Sequence, residues 1–326
     1  MVGPVQEVVY QSADDFIRHL LFEQETSQAL PDGDSIRFVF RGERSAHPDF
    51  RLLPAMLRSR NKTVQSLGPK SDTGLKVGHI FLLNEFRSLY RFYVTANKNG
   101  FALPEISIFK QYELNPKFDP LTKYSTWIPE ELFEIAGLAQ HYGVPTRLLD
   151  WTFNPFTALY FAAIGAVENF YNAAKESFVN GERFDAEQYE NEEVIVVWAL
   201  HIDDINQMNK EYPDHEVKWI RPPYNRNPNL TAQLGLFTHV QQKYSTEAAD
   251  YPDPDKTPLD ELLKPISANR PFLFRHMLPI REANRTLTQL QRLQHTASKI
   301  FPGLGGVAKE VIDQEKREAI KDYWKL

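Results

Sequence analysis

The chain contains no cysteine among its 326 residues. Disulfides, thiol nucleophiles, iron–sulfur clusters and cysteine-bound zinc are thereby excluded. No apolar run approaches the roughly 18 residues that a membrane span requires, so no membrane partner is expected. The first residues, Met1-Val2-Gly3-Pro4-Val5-Gln6-Glu7, hold no basic stretch followed by an apolar one, the pattern of a secretory signal. A cytoplasmic location is the expectation. Positive charge is not in excess: 37 Lys+Arg stand against 43 Asp+Glu, for a net charge of -6. That balance gives no reason to expect general attachment to nucleic acid. The metal-binding spacing His-Glu-x-x-His is missing, as is the Gly-x-Ser-x-Gly nucleophile elbow, so no metal is implied. Gly68-Pro69-Lys70-Ser71 and Gly303-Leu304-Gly305-Gly306 look superficially like phosphate loops, but neither completes the strand–loop–Gly-Lys-Ser/Thr pattern.

Hydrophobic content is ordinary, at 42%, and no repeat or low-complexity linker divides the chain. Helical spacing over residues 8–21 predicts a helix with Ser12 as N-cap. Residues 36–40 are rich in strand formers, after a turn at Pro31-Asp32-Gly33-Asp34. Residues 59–77 read as a loop, 78–98 as a long helix and 103–126 as irregular. A helix is predicted from Pro129 to Tyr142, ending at Gly143. A short strand follows over residues 145–150, then a helix entered through Asn154-Pro155. Residues 175–192 and 210–231 read as loops. Val194-Ile195-Val196-Val197-Trp198-Ala199-Leu200 is the clearest strand, apolar throughout as a strand buried on both faces would be. Two more strands are predicted at 234–240 and 272–280, with a polar segment, 244–265, between them. Helices at 282–298 and 307–324 close the chain. The fold class is α+β: a central mixed or antiparallel sheet with helical layers.

One stretch concentrates polar chemistry between apolar flanks: Leu138-Ala139-Gln140-His141-Tyr142-Gly143-Val144-Pro145-Thr146-Arg147-Leu148-Leu149-Asp150-Trp151-Thr152. Each buried polar group needs a partner, so such density points to a buried network or a ligand site. His141 either exchanges protons near neutral pH or favours a helix C-terminus electrostatically. Thr146-Arg147 is either a charged clamp or an inward pair that fixes Asp150 and depresses its pKa. Asp150 and Thr152 either contact a ligand or cap the following helix, with Trp151 in the core. A second element, Phe40-Arg41-Gly42, ends a strand. Arg41 presents a fork suited to phosphate or carboxylate, or else pairs with a core carboxylate. Gly42 would let a ligand approach the backbone closely.

These elements resemble a known family. Phe40-Arg41-Gly42, Leu53-Pro54 with Arg58, and the run from Leu138 through Asp150-Trp151-Thr152 to Pro155, Ala158, Leu159, Phe161 and Ala162 resemble the FRG domain, named for its Phe-Arg-Gly signature. Gln233-Leu234-Gly235-Leu236-Phe237-Thr238 and Phe301-Pro302-Gly303-Leu304 resemble its later elements. The resemblance implies an N-terminal helical segment over 1–34, the FRG domain over 35–308, and a C-terminal helix, 309–326, packed on the same domain. It also implies a setting in bacterial defence or toxin action.

A second, weaker resemblance is to mono-ADP-ribosyltransferases of the Arg-Ser-Glu type. It implies an ADP-ribosyltransferase-like fold and NAD as substrate. Arg41 would hold the NAD diphosphate or ribose and Thr152 would order the nicotinamide side. Gln233 stands near the position of the catalytic acid without being one, and Glu193, at the edge of the strand from Val194, has the required chemistry. Gly42, Gln140, His141, Thr146, Arg147, Asp150 and Trp151 would complete the pocket. The acceptor, protein or nucleic acid, is open. The rival readings are a nucleotide- or protein-binding module without catalysis, and a buried polar network that only fixes the fold.

Overall fold

In a computed structural model of the protein, the described residues are 3–26, 38–58, 77–115, 117–212, 216–223, 227–245, 251, 253–266 and 270–321. The loop expected at 59–77 and the first two residues of the strand expected at 36–40 lie outside them, apart from Val77.

The strands are β1 (Val5–Val9), β2 (Phe38–Glu43), β3 (Thr126–Trp127), β4 (Leu149–Thr152), β5 (Val194–His201), β6 (Val217–Ile220), β7 (Gly235–Val240), β8 (Gln242–Lys243) and β9 (Leu273–Pro279). Seven of them form one mixed sheet in the order β1-β9-β5-β2-β4-β7-β6, while β3 and β8 pair separately. Only β1 and β9 run parallel; the other neighbours in the sheet are antiparallel. The fold is α+β, as expected.

The helices are α1 (Ala13–Thr26), α2 (Val77–Lys98), α3 (Ser107–Leu114), α4 (Phe133–His141), α5 (Pro155–Val179), α6 (Ala186–Glu192), α7 (Ile202–Glu211), α8 (Pro228–Gln233), α9 (Leu259–Leu263), α10 (Ala283–Arg292), α11 (Ala297–Ile300) and α12 (Leu304–Ala319). No helix among the described residues is long and apolar enough to cross a membrane.

Alternation along the strands sends successive side chains to opposite faces. On one face Phe40, Ile195, Val197, Ala199 and Leu278 pack under α5, with α1 and α10 beside it. On the other, Val39, Val196, Trp198, Leu200, Leu149 and Trp151 pack with Ile205 and Met208 of α7 and Leu259 and Leu263 of α9. A third core joins α2, α3 and α4 around Trp127, Ile128 and Phe237.

Helix α5 sits close to the sheet because it carries Ala158, Ala162, Ala163 and Ala166 on its buried side. Its start is the expected one: the Asn154 carboxamide oxygen accepts the Phe156 amide at 2.9 Å, and Pro155 opens the helix. A Cβ on Gly42 would lie 1.9 Å from the Ala158 carbonyl oxygen. The glycine of the Phe-Arg-Gly signature is thus required by the backbone of α5, which takes the place expected for a ligand. Gly306 plays a similar part at the other end of the chain. A Cβ there would lie 1.7 Å from the Phe301 carbonyl oxygen, so the glycine run serves helix packing.

Several elements depart from expectation. Residues 5–9 form a strand on β9, and the first helix starts only at Ala13, where Ser12 Oγ accepts the Asp15 amide at 3.2 Å. The stretch read as a loop over 175–192 holds the end of α5 and all of α6, whose amide of Gln188 is capped by Asp185 at 3.0 Å. Helix α3 interrupts the segment read as irregular, and β6 and α8 occupy part of 210–231. The strand expected at 145–150 is displaced to β4, because Thr146 and Gln140 fold the preceding residues into a turn. The helix expected over 282–298 is broken after Arg292, where Gln294 adopts a positive φ of 59°.

Candidate functional site

Strands β2 and β4 are registered at a single pair, Phe40 with Thr152, whereas β2 and β5 share six. Beyond that one pair the ladder of β2 and β4 stops, and Arg41 bridges the strands. Its Nη1 donates to the Asp150 carbonyl oxygen at 2.9 Å and to the Asp150 carboxylate. Its Nε donates to Glu43 Oε1 at 2.9 Å, with Nη2 2.7 Å from the same oxygen. Arg58 also donates to Glu43 Oε1, at 2.9 Å, and to the Leu53 carbonyl oxygen at 2.9 Å. The result is a chain of alternating charge, Arg58–Glu43–Arg41–Asp150.

At its end lies an open cleft of about 300 Å³. The walls come from five places: Phe40, Arg41 and Gly42 of β2; Gln140 and His141 of α4; Asp150, Trp151 and Thr152 of β4; Thr157, Ala158 and Phe161 of α5; and a group from Asn229 through Gln233 to Phe237. Phe301 closes the rim, edge-on to Phe161 with centroids 5.8 Å apart.

The polar groups divide by how far they are already committed. Arg41 is 11% exposed as a side chain and its donors are directed at Glu43 and Asp150. Thr152 donates to the Gln233 carbonyl oxygen at 2.6 Å and accepts the Asn154 amide at 2.9 Å. Gln140 accepts from Thr146 Oγ1 and donates to the Leu148 carbonyl oxygen at 3.1 Å. Trp151 is buried, with its indole N–H on Thr238 Oγ1 at 2.8 Å. The Gln233 amide reaches the Ile300 carbonyl oxygen at 3.4 Å. These groups build the walls.

Asp150 and His141, which also line the cleft, are less committed. The Asp150 side chain is 64% exposed although Arg41 grips one oxygen. Crowding by protein atoms opposes its ionisation, but Arg41 more than offsets this and holds the carboxyl below its ordinary value. His141 Nε2 is buried and has no hydrogen-bond partner among the described residues. Burial lowers the His141 pKa against an opposing pull from Asp150, so the ring is neutral at pH 7. A fixed carboxylate and a neutral imidazole on one cleft supply an anion and a proton acceptor or donor.

Three expected site residues lie elsewhere. Arg147 does not hold Asp150; it is buried against Glu85 and Gln242. It also borders a larger cavity of about 450 Å³, beside Leu52 and Leu149, that shares none of the cleft's polar groups. Thr146 stands behind the wall on Gln140. Glu193 accepts from Ser45 Oγ at 2.6 Å and is not among the cleft's lining residues. Among those lining residues the only carboxylate is Asp150. Phe301 and Phe161, which the sequence offered only as parts of a motif, prove to be part of its aromatic lining. Among the described residues no group of three or more potential ligands could hold a metal ion.

No curated protein and no solved structure matches the chain. No match joins it to the ADP-ribosyltransferases, so that weaker resemblance is not borne out. The FRG domain model matches residues 36–169, a span that contains β2 with Arg41, the turn of α4 with Gln140 and His141, β4 with Asp150, and most of α5. Gln233 and Phe301 lie beyond it. The framework of the cleft is therefore the matched region itself, and an FRG domain is present over residues 36–169.

Proposed function

We propose that the cleft receives the nicotinamide riboside half of NAD and that the protein cleaves or transfers at the nicotinamide–ribose bond. The observation that carries this reading is the Asp150 carboxylate, anchored by Arg41 yet exposed in a cleft that His141 also lines. Its volume, about 300 Å³, is at the small end of ligand pockets and suits one nucleoside. The nicotinamide ring would lie against Phe161 and Phe301. Asp150 would accept hydrogen bonds from the ribose hydroxyls and stabilise the cation that develops on the sugar. The C1′–N bond breaks with its electron pair passing to the nicotinamide ring nitrogen. Water or an acceptor group adds at C1′, and its proton passes to His141. Asp150 thereby takes the place expected for Glu193. The diphosphate role expected for Arg41 falls away, because its donors are engaged.

Nicotinamide release from NAD by the pure protein, followed by chromatography, tests this. Release is expected from the intact protein and not from Asp150→Asn, with an unchanged melting temperature. If no nicotinamide forms, with or without cell extract as a source of protein or nucleic-acid acceptor, the enzyme reading fails. The engaged state of Arg41 favours one second reading, a non-enzymatic module that binds a nucleotide or protein. NAD bound but never consumed would select it. Enzyme activity of this kind fits a cytoplasmic role in bacterial defence or as a toxin.

A further inference from the structure

The cleft has a neighbour. A groove of about 440 Å³ lies between the end of α2, residues 101–104, α4 and the segment before α8. The two cavities are lined by residues that neighbour one another along the chain. His141 and Asn229 line the cleft, Tyr142 and Asn227 line the groove, and the Tyr142 hydroxyl donates to Asn227 Oδ1 at 3.3 Å. Phe92, Leu103, Pro104 and Leu138 make the groove apolar, and two rings beside them are left to solvent: Phe101 is 66% exposed and Tyr142 56%. Exposed rings lining a concave surface are what a planar ligand stacks on.

Two groups at the rim can act as acceptors. Asn99 donates one of its two side-chain N–H groups to the Thr95 carbonyl oxygen at 2.8 Å, and its side-chain oxygen can accept. Glu134 lines the groove and has no hydrogen bond or ion pair among the described residues. An aromatic ring bearing an exocyclic amine meets both requirements, since it offers a flat apolar body and N–H donors at one edge. Adenine is such a ring, with a donor amine at its sixth position. The cleft holds only one nucleoside, so the second nucleoside of a dinucleotide must lie outside it.

We propose that this groove is the adenine site for the dinucleotide whose nicotinamide half enters the cleft, with Phe101 and Tyr142 as its stacking rings and Asn99 and Glu134 as acceptors for the amine. The identification of the dinucleotide rests on the reading of the cleft given above; the groove's preference for an amino-purine does not. Calorimetric titrations with AMP, IMP and nicotinamide mononucleotide separate the two. AMP should bind the intact protein at least about 10-fold tighter than IMP, whose ring lacks the amine. Phe101→Ala, at an exposed ring, and Ala96→Trp, which fills the groove, should each weaken AMP by about 10-fold or more while leaving the mononucleotide unchanged. Asp150→Asn should do the reverse. Absence of saturable AMP binding, equal binding of AMP and IMP, or AMP affinity indifferent to both groove variants would overturn the proposal. If AMP behaves as expected and the mononucleotide does not bind, the groove stands and the cleft reading falls.

Discussion

Arg147 and Glu85 form a buried ion pair, each with 4% of its side chain exposed. Arg147 Nε donates to Glu85 Oε1 at 2.9 Å and Nη2 to the second oxygen, so the pair is bidentate. The indole N–H of Trp127 also donates to Glu85, at 2.7 Å, and Arg147 Nη1 reaches Gln242 Oε1 at 2.7 Å. The arginine of Pro-Thr-Arg-Leu-Leu-Asp-Trp therefore ties α2 and the β3–β8 pair to the turn that precedes β4.

Removing one partner leaves the other charged and buried. Glu85→Ala is expected to destabilise the protein by about 3–5 kcal/mol in denaturant unfolding. Replacing both, with Glu85→Leu and Arg147→Met, should recover most of that loss, because an apolar pair of similar volume needs no solvation. A double variant as unstable as the single would show that the pair is worth more than its desolvation cost.

Arg41 and Asp150 are bonded to one another yet should respond differently. Arg41 is nearly buried and also neutralises Glu43, which is 7% exposed. Arg41→Ala should cost about 3 kcal/mol, the low end for a broken buried pair, since Arg58 still faces Glu43. Asp150 is largely open to solvent, and Asp150→Asn keeps the carboxamide oxygen for Arg41. Its cost should stay below about 1 kcal/mol. Equal losses in the two variants, measured by urea titration at pH 7, would place Asp150 in the buried network and remove it from the cleft's chemistry.

What was legible in the sequence was local. Asn154-Pro155 announces the start of α5 because cap and first turn are neighbours in sequence, and the apolar run of β5 needs no partner to be read. The helix expected over 8–21 takes in Val8 and Val9 of β1, because the strand's hydrogen-bond partners on β9 are more than 260 residues away. The density of polar groups between Gln140 and Thr152 did mark the cleft, and Arg41 did belong beside it. The sequence offers Arg147 as one partner for Asp150, and only the register of β2 against β4 brings Arg41 across instead. A signal for Glu85 was present: it falls among Leu82, Phe86 and Leu89 on the apolar face of α2, where an unpaired carboxylate would be costly. Glu193 sits at a strand edge with suitable chemistry, but sequence alone does not say which end of a strand meets the cleft.

Acid should unfold this protein before its carboxylates titrate, and two histidines supply the reason. His239 and His276 are buried, and burial lowers each pKa to about 3, helped by Arg147 against His239 and by His19 against His276. His239 Nε2 lies 2.9 Å from both the Ile128 amide and the Trp127 carbonyl oxygen, and His276 Nδ1 lies 3.0 Å from the Tyr10 hydroxyl. In the unfolded chain each ring regains a pKa of about 6.5. Below that pH the unfolded state binds two protons that the native state refuses, so stability falls as pH falls and is constant above it. Two such groups give a slope of about 2.7 kcal/mol per pH unit between about 6.5 and 3. His141, His201 and His295 are also lowered by burial and act in the same direction. Urea unfolding at pH 7, 6 and 5 should show this loss, and His276→Gln should reduce the slope by about 1.4 kcal/mol per pH unit. A slope that the substitution leaves unchanged would mean that His276 takes up its proton in the folded protein.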